Sequence, residues 1–436
     1  MLRFGTDGVR GVAFKELTEQ YVAELGLVAA RELGVTKVLI GRDTRESGKQ
    51  LETALANGLL AGGVSVELLG VAPTPAIAFL AQKRGCASAA ITASHNPYVD
   101  NGVKLFANGG VKLSDAQQDA IESHMTGSAK VPAASAASVD LLGEYASHIV
   151  GLFPVLAFAN IRVVLDCANG AMSDVAPEVF ARLGATVIVL NDQPNGKNIN
   201  EGCGATHPEV VSEAVRLHKA DLGLAFDGDG DRVIAVDHIG DVVDGDHVIA
   251  LAAVDLHKRG KLKSNSVAVT VMTNAGFHQA MKNAGIHVIT TPVGDRNILV
   301  AFDEHGAVLG GEQSGHIIYR EHATTGDGLL AGAMLVDLVR REAKPLATLA
   351  RNAMTSLPQT LINVRVAHVV KSPADELAAE IADATKRLDG IGRVLLRASG
   401  TEPVVRVMVE AASQQTADAV AQGLAEVVSQ RFGGVR

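Results

Sequence analysis

Between Leu222 and Val236 the chain reads LGLAFDGDGDRVIAV. Two apolar runs flank six charged or glycine residues, a pattern that predicts two buried strands joined by a tight turn. The two glycines of the turn permit positive φ, so we expect Asp227, Asp229 and Asp231 to converge on one point. Converging carboxylates repel one another unless a cation neutralises them, and the turn therefore predicts a site for a hard divalent metal ion.

The kind of metal follows from the residues around this turn. A calcium EF-hand is excluded by counting from Asp227, because position 6 is Arg232 rather than glycine and position 12 is His238 rather than glutamate. No cluster of histidine and cysteine surrounds the turn, which disfavours zinc. Magnesium binds oxygen but usually takes only one or two carboxylates, so we expect a phosphoryl oxygen to complete its coordination and Arg232 to bind other oxygens of that phosphate. The alternative is a polar turn with solvated acids.

The composition is that of a globular protein of several domains. With 436 residues the chain exceeds one ordinary core, and length alone suggests about three domains. Hydrophobic residues make up 47% of the chain and its net charge is −9, which indicates buried structure and argues against nucleic acid as a partner. No apolar run approaches the roughly 20 residues of a membrane helix, and the first residues lack the apolar core of a signal peptide. Cys86, Cys167 and Cys203 show neither disulfide nor metal spacing, so we expect a reducing cytoplasm, with Cys167 in the core.

Three segments share one order of elements: an apolar strand, a turn, a helix, a glycine and a second apolar strand. Their marker glycines are Gly63, Gly184 and Gly285, and small residues from Thr126 to Ser138 suggest a linker. This order predicts right-handed crossovers and largely parallel sheets covered on both faces. From about residue 356 the order becomes βαββα, which predicts a small α+β domain with an antiparallel strand pair. We therefore predict three similar α/β domains with mixed, largely parallel sheets and a C-terminal α+β domain around a central cleft, with the bounds 1–145, 146–243, 244–355 and 356–436.

In each segment a further strand ends in a loop rich in reactive side chains, and open α/β sheets bind ligands at such strand ends. The first loop is TASHNP, residues 92–97, and contains Ser94. No G-x-S-x-G elbow surrounds this serine, which disfavours acyl transfer. A metal partner points instead to phosphoryl transfer through a phosphoserine, whose phosphate would supply the oxygen that the three carboxylates lack. The alternative is a turn or capping serine.

The later loops have the composition of sugar and phosphate sites. GGEQSGH, residues 310–316, offers Glu312 and Ser314 to sugar hydroxyls, although both also suit an ordinary polar loop. The C-terminal loop combines two arginine forks with hydroxyl and backbone donors, which favours a phosphate clamp, and the absence of a Walker sequence disfavours a nucleotide. The alternative is an ordinary hairpin turn. The clamp would consist of Arg397, Ser399, Gly400, Thr401 and Arg406.

Together, GTDGVRG, TASHNP, DGDGDR, GGEQSGH and RASGTEP resemble, in this order and over essentially the whole chain, the α-D-phosphohexomutase superfamily and most closely its bacterial phosphoglucosamine mutase branch. The resemblance implies a catalytic phosphoserine at Ser94 and one Mg²⁺ per chain, held by the Ser94 phosphate and the three aspartates. It also implies sugar contacts from the GGEQSGH loop and distal phosphate binding by the C-terminal clamp. Arg10, Lys104 and His316 would lie near the transferred phosphate, where protons move and charge is stabilised. Taken alone, Arg10 and Lys104 are equally compatible with solvated charges, and His316 with a structural histidine.

The branch is indicated by GGEQSGH and by NINEGCGATHP, residues 198–208. Two residues depart from the usual pattern of that branch, because Thr92 and Ala205 stand where it more often has serine. Thr92 is typical of the wider superfamily, so glucose or mannose phosphate stays open as the substrate.

The resemblance implies an isomerase that interconverts glucosamine 6-phosphate and glucosamine 1-phosphate. Phospho-Ser94 would donate its phosphoryl group to the free hydroxyl, and the resulting glucosamine 1,6-bisphosphate would turn end for end and return its other phosphate to the serine. The product would feed the synthesis of UDP-N-acetylglucosamine and peptidoglycan. A cytoplasmic monomer or homodimer, with neither nucleic acid nor membrane as partner, is expected. Alternatives of another class are a sugar-phosphate phosphatase, which would need no second phosphate clamp, and a noncatalytic sugar-phosphate-binding protein.

Overall fold

The computed structural model describes residues 2–5, 8–398 and 403–434. By their contacts the residues form two compact units. The first unit comprises the chain up to Met272 together with Ala284–Ala353, and the second comprises Thr273–Asn283 together with the chain from Met354. Within the described ranges, no helix is both long enough and apolar enough to cross a membrane.

The N-terminal part of the first unit forms one mixed sheet with helices around it. Its strands are β1 (Val9–Val12), β2 (Lys37–Arg42), β3 (Ser65–Val71), β4 (Ala87–Ile91), β5 (Asp100–Ala107), β6 (Val111–Lys112) and β7 (Ala137–Ser138). Its helices are α1 (Glu19–Glu32), α2 (Gly48–Ala61), α3 (Thr74–Arg84), α4 (Asp115–His124) and α5 (Leu142–Gly151). The strand order is β1-β5-β4-β2-β3-β7, with β6 paired to β5. The pairs among β2, β3, β4 and β7 are parallel, whereas β5 is antiparallel to each of its neighbours.

The second sheet carries the aspartate turn. Its strands are β8 (Arg162–Asp166), β9 (Thr186–Leu190), β10 (Leu222–Phe226), β11 (Val233–Asp237) and β12 (Val242–Val243), with helices α6 (Val175–Arg182) and α7 (Pro208–His218). The strand order is β12-β11-β10-β8-β9. The strands β9, β8 and β10 are parallel, and β10 and β11 form an antiparallel pair. The apolar runs on either side of DGDGDR are therefore the two buried strands that the sequence predicts.

The third sheet completes the first unit. Its strands are β13 (Ser266–Thr270), β14 (His287–Thr291), β15 (Leu309–Gly311) and β16 (Ile317–Tyr319), in the order β14-β13-β15-β16. The helices of this part of the chain are α8 (Gly245–Lys258), α9 (Ala275–Asn283), α10 (Asp295–His305), α11 (Gly328–Glu342) and α12 (Leu346–Ala353). Helix α9 groups with the second unit because its first turn is bound there: the Ala275 amide donates to Glu410 Oε2 at 2.9 Å.

The second unit has the predicted βαββα order. It contains β17 (Gln359–Arg365), α13 (Pro373–Glu376), α14 (Ala378–Lys386), β18 (Gly392–Ala398), β19 (Val404–Ala411) and α15 (Gln414–Phe432). The strands form the antiparallel sheet β17-β19-β18, and the buried face of α15 packs on it through Val420, Leu424 and Val428. The order predicts a single helix between the first two strands, whereas the structure breaks it at Leu377, whose backbone leaves helical geometry.

The three predicted repeats are present, and each pairs its two strands in parallel. The marker glycines Gly63, Gly184 and Gly285 have φ of 86°, 92° and 71°, a region that only glycine adopts freely. The predicted linker has neither helix nor strand over residues 126–136, but its last two residues form β7. Because β4 and β10 end immediately before their predicted loops and β15 ends at Gly311, the second residue of its predicted loop, the fold presents the three loops at strand ends, as the sequence predicts.

Candidate active site

The aspartate turn brings three buried carboxylates together. Asp227, Asp229 and Asp231 are each 1% exposed, and one oxygen from each lies within 4.8 Å of the others. Gly230 has the expected positive φ of 72°. The same expectation is wrong for Gly228, whose φ is not in the left-handed range. Glycine is needed there for close approach instead, because a Cβ would lie 2.6 Å from the Ser94 carbonyl oxygen.

The three carboxylates differ in their electrostatic surroundings. Burial, followed by the charges of Asp231 and Asp229, raises the pKa of Asp227 well above its usual value. Burial acts the same way on Asp231, but the cations Lys104 and His316 outweigh it and hold the pKa of Asp231 well below its usual value. Asp229 Oδ1 and Asp231 Oδ1 are buried without a hydrogen-bond donor among the described residues. Buried acceptors without donors, in an all-oxygen set, fit a hard divalent cation.

Ser94 lies directly beside this cluster. It follows β4, is fully buried, and its hydroxyl donates to Asp227 Oδ2 at 2.6 Å. Its backbone has φ of 54°, the left-handed region that is unfavourable for residues other than glycine, asparagine and aspartate. The structure therefore brings the TASHNP and DGDGDR loops together, although 133 residues separate the two bonded side chains.

Lys104 occupies the other side of the carboxylates. It lies on β5 opposite Ala90 of β4 and is 2% exposed. Its ammonium group is 2.8 Å from Asp229 Oδ2 and 2.7 Å from Asp231 Oδ2. Lys104 is therefore a buried cation of the site rather than a solvated surface charge. Arg10, on β1, lies on the neighbouring strand opposite Gly102 and is half-buried.

His316 joins the cluster from the third sheet. Its Nδ1 is 3.6 Å from Asp231 Oδ1 and its Nε2 is 3.3 Å from Asp295 Oδ2. The Gly326 amide also lies 3.1 Å from Nε2, where it can donate only to an unprotonated nitrogen. Burial disfavours the imidazolium, but Asp231 and Asp295 outweigh burial and raise the pKa of His316 to about 10. We therefore treat the ring as the cationic partner of the two carboxylates.

His95 is a site residue that sequence reasoning did not single out. Its Nδ1 is 3.4 Å from Ser94 Oγ and 3.2 Å from Arg232 Nη1. Burial, Arg232 and Arg10 lower the pKa of His95 to about 4, so the ring is neutral and its Nδ1 accepts the guanidinium proton. Arg232 lies beside the carboxylates, since its Nε is 3.6 Å from Asp231 Oδ1 and its amide donates to Asp227 Oδ1 at 3.2 Å. The binding of phosphate oxygens by Arg232 stays a prediction. The signal for His95 was its place next to the serine within TASHNP.

The GGEQSGH loop packs directly on the aspartate turn. The Val233 amide donates to the Gly315 carbonyl at 3.1 Å, and a Cβ on Gly315 would lie 2.2 Å from the Val233 oxygen. Within the loop, Glu312 Oε1 accepts from the Gly294 amide at 3.1 Å, and the Ser314 hydroxyl lies 3.5 Å from Glu312 Oε2. The structure thus places both predicted sugar-binding residues in the same unit as the carboxylates.

The predicted phosphate clamp belongs to the second unit. Arg397 on β18 and Arg406 on β19 are directly paired across the two strands. Like charges in such a pair are unfavourable by themselves, and an anion bound between them would remove the repulsion. Arg406 is exposed and Arg397 is half-buried. The remaining predicted clamp residues, Ser399, Gly400 and Thr401, lie outside the described residues.

The three cysteines are buried and unpaired by disulfides. Burial, together with the charge of Asp166, raises the pKa of Cys203 to about 12 and that of Cys167 well above its usual value. Neither thiol is therefore a nucleophile, and the core position predicted for Cys167 is confirmed.

A metal-type carboxylate cluster, a buried serine bonded to it and three α/β sheets define a phosphoryl-transfer enzyme of the phosphohexomutase class. Four sequence profiles described as phosphoglucomutase/phosphomannomutase match consecutive parts of the chain: α/β/α domain I at residues 1–131, domain II at 143–240, domain III at 244–357 and the C-terminal domain at 361–427. The chain belongs to the phosphoglucomutase/phosphomannomutase family.

Similar curated proteins are phosphoglucosamine mutases. The chain is 48% identical to that of Frankia casuarinae, over 98% of this chain and 97% of the relative. It is 48% identical to the enzyme of Corynebacterium jeikeium, over 98% of this chain and 99% of the relative. It is 46% identical to the enzyme of Desulforudis audaxviator, over 98% of each chain.

Solved structures share the fold. A phosphoglucomutase/phosphomannomutase family protein from Burkholderia thailandensis has a TM-score of 0.82 at 25% identity, over 99% of this chain and 98% of that one. N-acetylphosphoglucosamine mutase of Aspergillus fumigatus, solved with GlcNAc-6P and magnesium, has a TM-score of 0.73 at 18% identity, over 99% and 96%.

Proposed function

We propose that the chain is an isomerase that interconverts glucosamine 6-phosphate and glucosamine 1-phosphate through a phosphoserine at Ser94. The observation that carries the proposal is the 2.6 Å bond from Ser94 Oγ to the buried three-carboxylate cluster. The sugar follows from near 50% identity, over almost the full length, to relatives named phosphoglucosamine mutase. Such a product would feed UDP-N-acetylglucosamine and cell-wall synthesis, and we place the reaction in the cytoplasm.

The carboxylates and the serine divide the chemistry between them. Asp227, Asp229 and Asp231, with the Ser94 phosphate, would hold Mg²⁺, which when bound neutralises charge on the moving phosphoryl group. The phosphorus–oxygen bond to Ser94 Oγ breaks as a bond to the sugar hydroxyl forms. In the second half of the cycle the other phosphate of glucosamine 1,6-bisphosphate returns to Ser94.

The surrounding residues bind, orient and move protons. Arg10, Lys104 and Arg232 would stabilise the charge of the phosphoryl group, and Lys104 and His316 would exchange the hydroxyl proton. Glu312 and Ser314 would bind sugar hydroxyls. The C-terminal clamp would hold the distal phosphate in either orientation of the bisphosphate. This clamp consists of Arg397, Ser399, Gly400, Thr401 and Arg406.

The departure at Thr92 does not bear on the sugar. The Thr92 side chain is 1% exposed, and its hydroxyl accepts from the Ser94 amide at 2.9 Å and donates to Asp43 at 2.7 Å. Serine carries the same hydroxyl, so either residue supports the loop. Thr92 therefore gives no reason to prefer glucose or mannose phosphate over glucosamine phosphate.

The proposal is tested by assaying purified protein with Mg²⁺, catalytic bisphosphate and, in parallel, glucosamine, glucose and mannose 6-phosphates. We expect glucosamine 6-phosphate to have the highest kcat/KM; equal or better glucose or mannose phosphate would reassign the substrate. Release of inorganic phosphate instead of sugar 1-phosphate would identify a phosphatase, and binding without ³²P on the protein would identify a noncatalytic protein.

The serine has a matched control on the strand that precedes it. Ser94→Ala should lower kcat by at least about 10²-fold, because it removes the nucleophile. Ser88, on β4, is also buried, and its hydroxyl has no partner among the described residues. Ser88→Ala should leave kcat within about threefold, since it removes no bond. Retained activity in Ser94→Ala would refute the phosphoserine mechanism.

A further inference from the structure

Arg45 contacts the serine loop, residues 92–100, through both terminal nitrogens of its guanidinium group. The residue lies between β2 and α2 and is 1% exposed. Its Nη2 donates to the carbonyl oxygens of Ser94 at 2.9 Å and Asn96 at 2.8 Å, and its Nη1 donates to those of Pro97 and Asp100. With Nε bonded to Asp43 at 2.9 Å, five acceptors match the five N–H donors that arginine carries. No donor is left for a ligand, so the group serves the loop.

Asp43 extends this contact to the amide side of the serine. It is 1% exposed, accepts from the Arg45 amide at 3.0 Å, and accepts the Thr92 hydroxyl at 2.7 Å. The same Thr92 oxygen accepts from the Ser94 amide at 2.9 Å. The backbone of Ser94 is therefore held at its N–H through Asp43 and Thr92 and at its C=O by Arg45, together with Asn200 Nδ2 at 2.9 Å.

The backbone of Ser94 needs such restraint. Its φ of 54° is unfavourable for serine, and a residue in that region persists only where surrounding contacts determine it. A relaxed backbone would rotate the Cα–Cβ bond and carry Oγ away from Asp227 Oδ2, which lies 2.6 Å from it. Lysine cannot replace the fork, because one ammonium group cannot reach four carbonyl oxygens and a carboxylate in one plane.

We propose that Arg45, with Asp43 and Thr92, is a positioning residue that holds the strained Ser94 backbone so that Oγ meets the carboxylate cluster. Arg45 touches none of the reacting atoms and acts through the loop. The inference rests on the proposed function for its kinetic consequence, but its structural consequence is measurable without any substrate.

The experiment compares Arg45→Lys and Arg45→Met with Arg42→Met as control. Arg42 is the last residue of β2, and its guanidinium group contacts Glu52 and the Asp43 carbonyl rather than the serine loop. Each variant is assayed for kcat and KM per mole of folded protein and for amide hydrogen exchange in a peptide covering residues 92–100. For both Arg45 variants we expect kcat to fall about 10²-fold with KM within about threefold, because misplacement of the nucleophile slows the chemistry and spares binding. Exchange in the peptide should accelerate at least about tenfold, and the control should change neither quantity.

Each outcome decides the proposal. Folded Arg45 variants with wild-type exchange and near wild-type kcat would overturn it. So would a rise in KM at unchanged kcat, or a failure of both variants to fold, since either result assigns Arg45 to binding or to folding alone. If the wild-type protein shows no mutase activity, the proposed function fails, and faster exchange of the loop in the variants still supports the positioning of Ser94 by Arg45.

Discussion

The contact between the aspartate turn and the serine loop predicts that Gly228→Ala disables the enzyme without a change in any chemical group. The added Cβ would lie 2.6 Å from the Ser94 carbonyl oxygen, 2.8 Å from Ile199 Cδ1 and 2.9 Å from Asn200 Nδ2. Real Cβ contacts are essentially never shorter than 3.0 Å, so the two loops must separate by at least 0.4 Å, the difference between 3.0 and 2.6 Å. The turn cannot simply retreat, because its other side is bound by the Ala171 amide, which donates to the Gly228 oxygen at 2.9 Å.

The separation acts on the bond between serine and carboxylate. The distance from Ser94 Oγ to Asp227 Oδ2 is 2.6 Å, and an increase of 0.4 Å brings it to the long end of the range for such bonds. We expect kcat to fall about 10²-fold and the free energy of unfolding to fall by about 1–3 kcal/mol, the usual cost of overpacking. Single-turnover transfer of ³²P from bisphosphate to Ser94, together with denaturant unfolding, measures both.

The matched control for Gly228 is Gly143→Ala in α5, where an added Cβ would meet nothing within 4 Å. It should leave transfer within about threefold of wild type, since no contact changes. A Gly228→Ala protein that transfers phosphate at the wild-type rate would show that the two loops do not depend on this close approach.

Three further perturbations have defined outcomes. Calorimetric titration should show Mg²⁺ binding at least about tenfold more tightly to the phosphorylated protein than to Ser94→Ala, and equal affinity would separate the serine from the metal site. Burial raises the pKa of Asp327, whose carboxylate accepts a hydrogen bond from Tyr145, from 3.8 to about 6. The folded state therefore holds the proton more tightly than the unfolded state, and the free energy of unfolding declines as the pH rises from about 4 to 6. Asp327→Asn should remove this decline, which amounts to at most about 3 kcal/mol. Denaturant unfolding of both proteins at pH 4.5 and 7 measures it, and an equal pH dependence of the two proteins would contradict the prediction. Gly423 lies in α15, and an added Cβ would meet nothing within 4 Å. Gly423→Ala should therefore raise the free energy of unfolding in denaturant titration by about 0.5–1 kcal/mol, and a loss of stability would argue against open space there.

Much of the fold was predictable because the local signals agree with one another. The marker glycines, the apolar runs and the change of order near residue 356 each specify an element independently of its packing. Their parallel pairing then follows from the crossover rule, and the structure confirms it in all three repeats. The proximity of Ser94 to the aspartate turn was predictable from chemistry, since three buried carboxylates lack a partner that a phosphoserine supplies.

The residues that sequence reasoning missed act through the backbone. Arg45 binds four carbonyl oxygens, and a carbonyl belongs to every residue type, so no pattern of side chains announces such a contact. The reason for glycine at 228 was missed similarly, because its role is set by a chain segment 134 residues away, at Ser94, rather than by its own φ. Close approach and long-range carbonyl contacts exist only once the sheets have assembled.

Counting charges explains why the turn has a third carboxylate. When all three are ionised, Asp227, Asp229 and Asp231 contribute three negative charges, and the cations Lys104, Arg232 and His316 around them contribute three positive ones. A phosphoserine adds about two negative charges and Mg²⁺ adds two positive ones, so the buried cluster is balanced with both or with neither. Either one alone leaves about two uncompensated charges among carboxylates that are 1% exposed, where the effective dielectric is low. With only two carboxylates the cluster would carry one net positive charge, and the metal alone would raise that charge to three. The third carboxylate therefore makes the cluster neutral both when it is empty and when it holds metal and phosphate together, so that each of the two favours the binding of the other through charge balance.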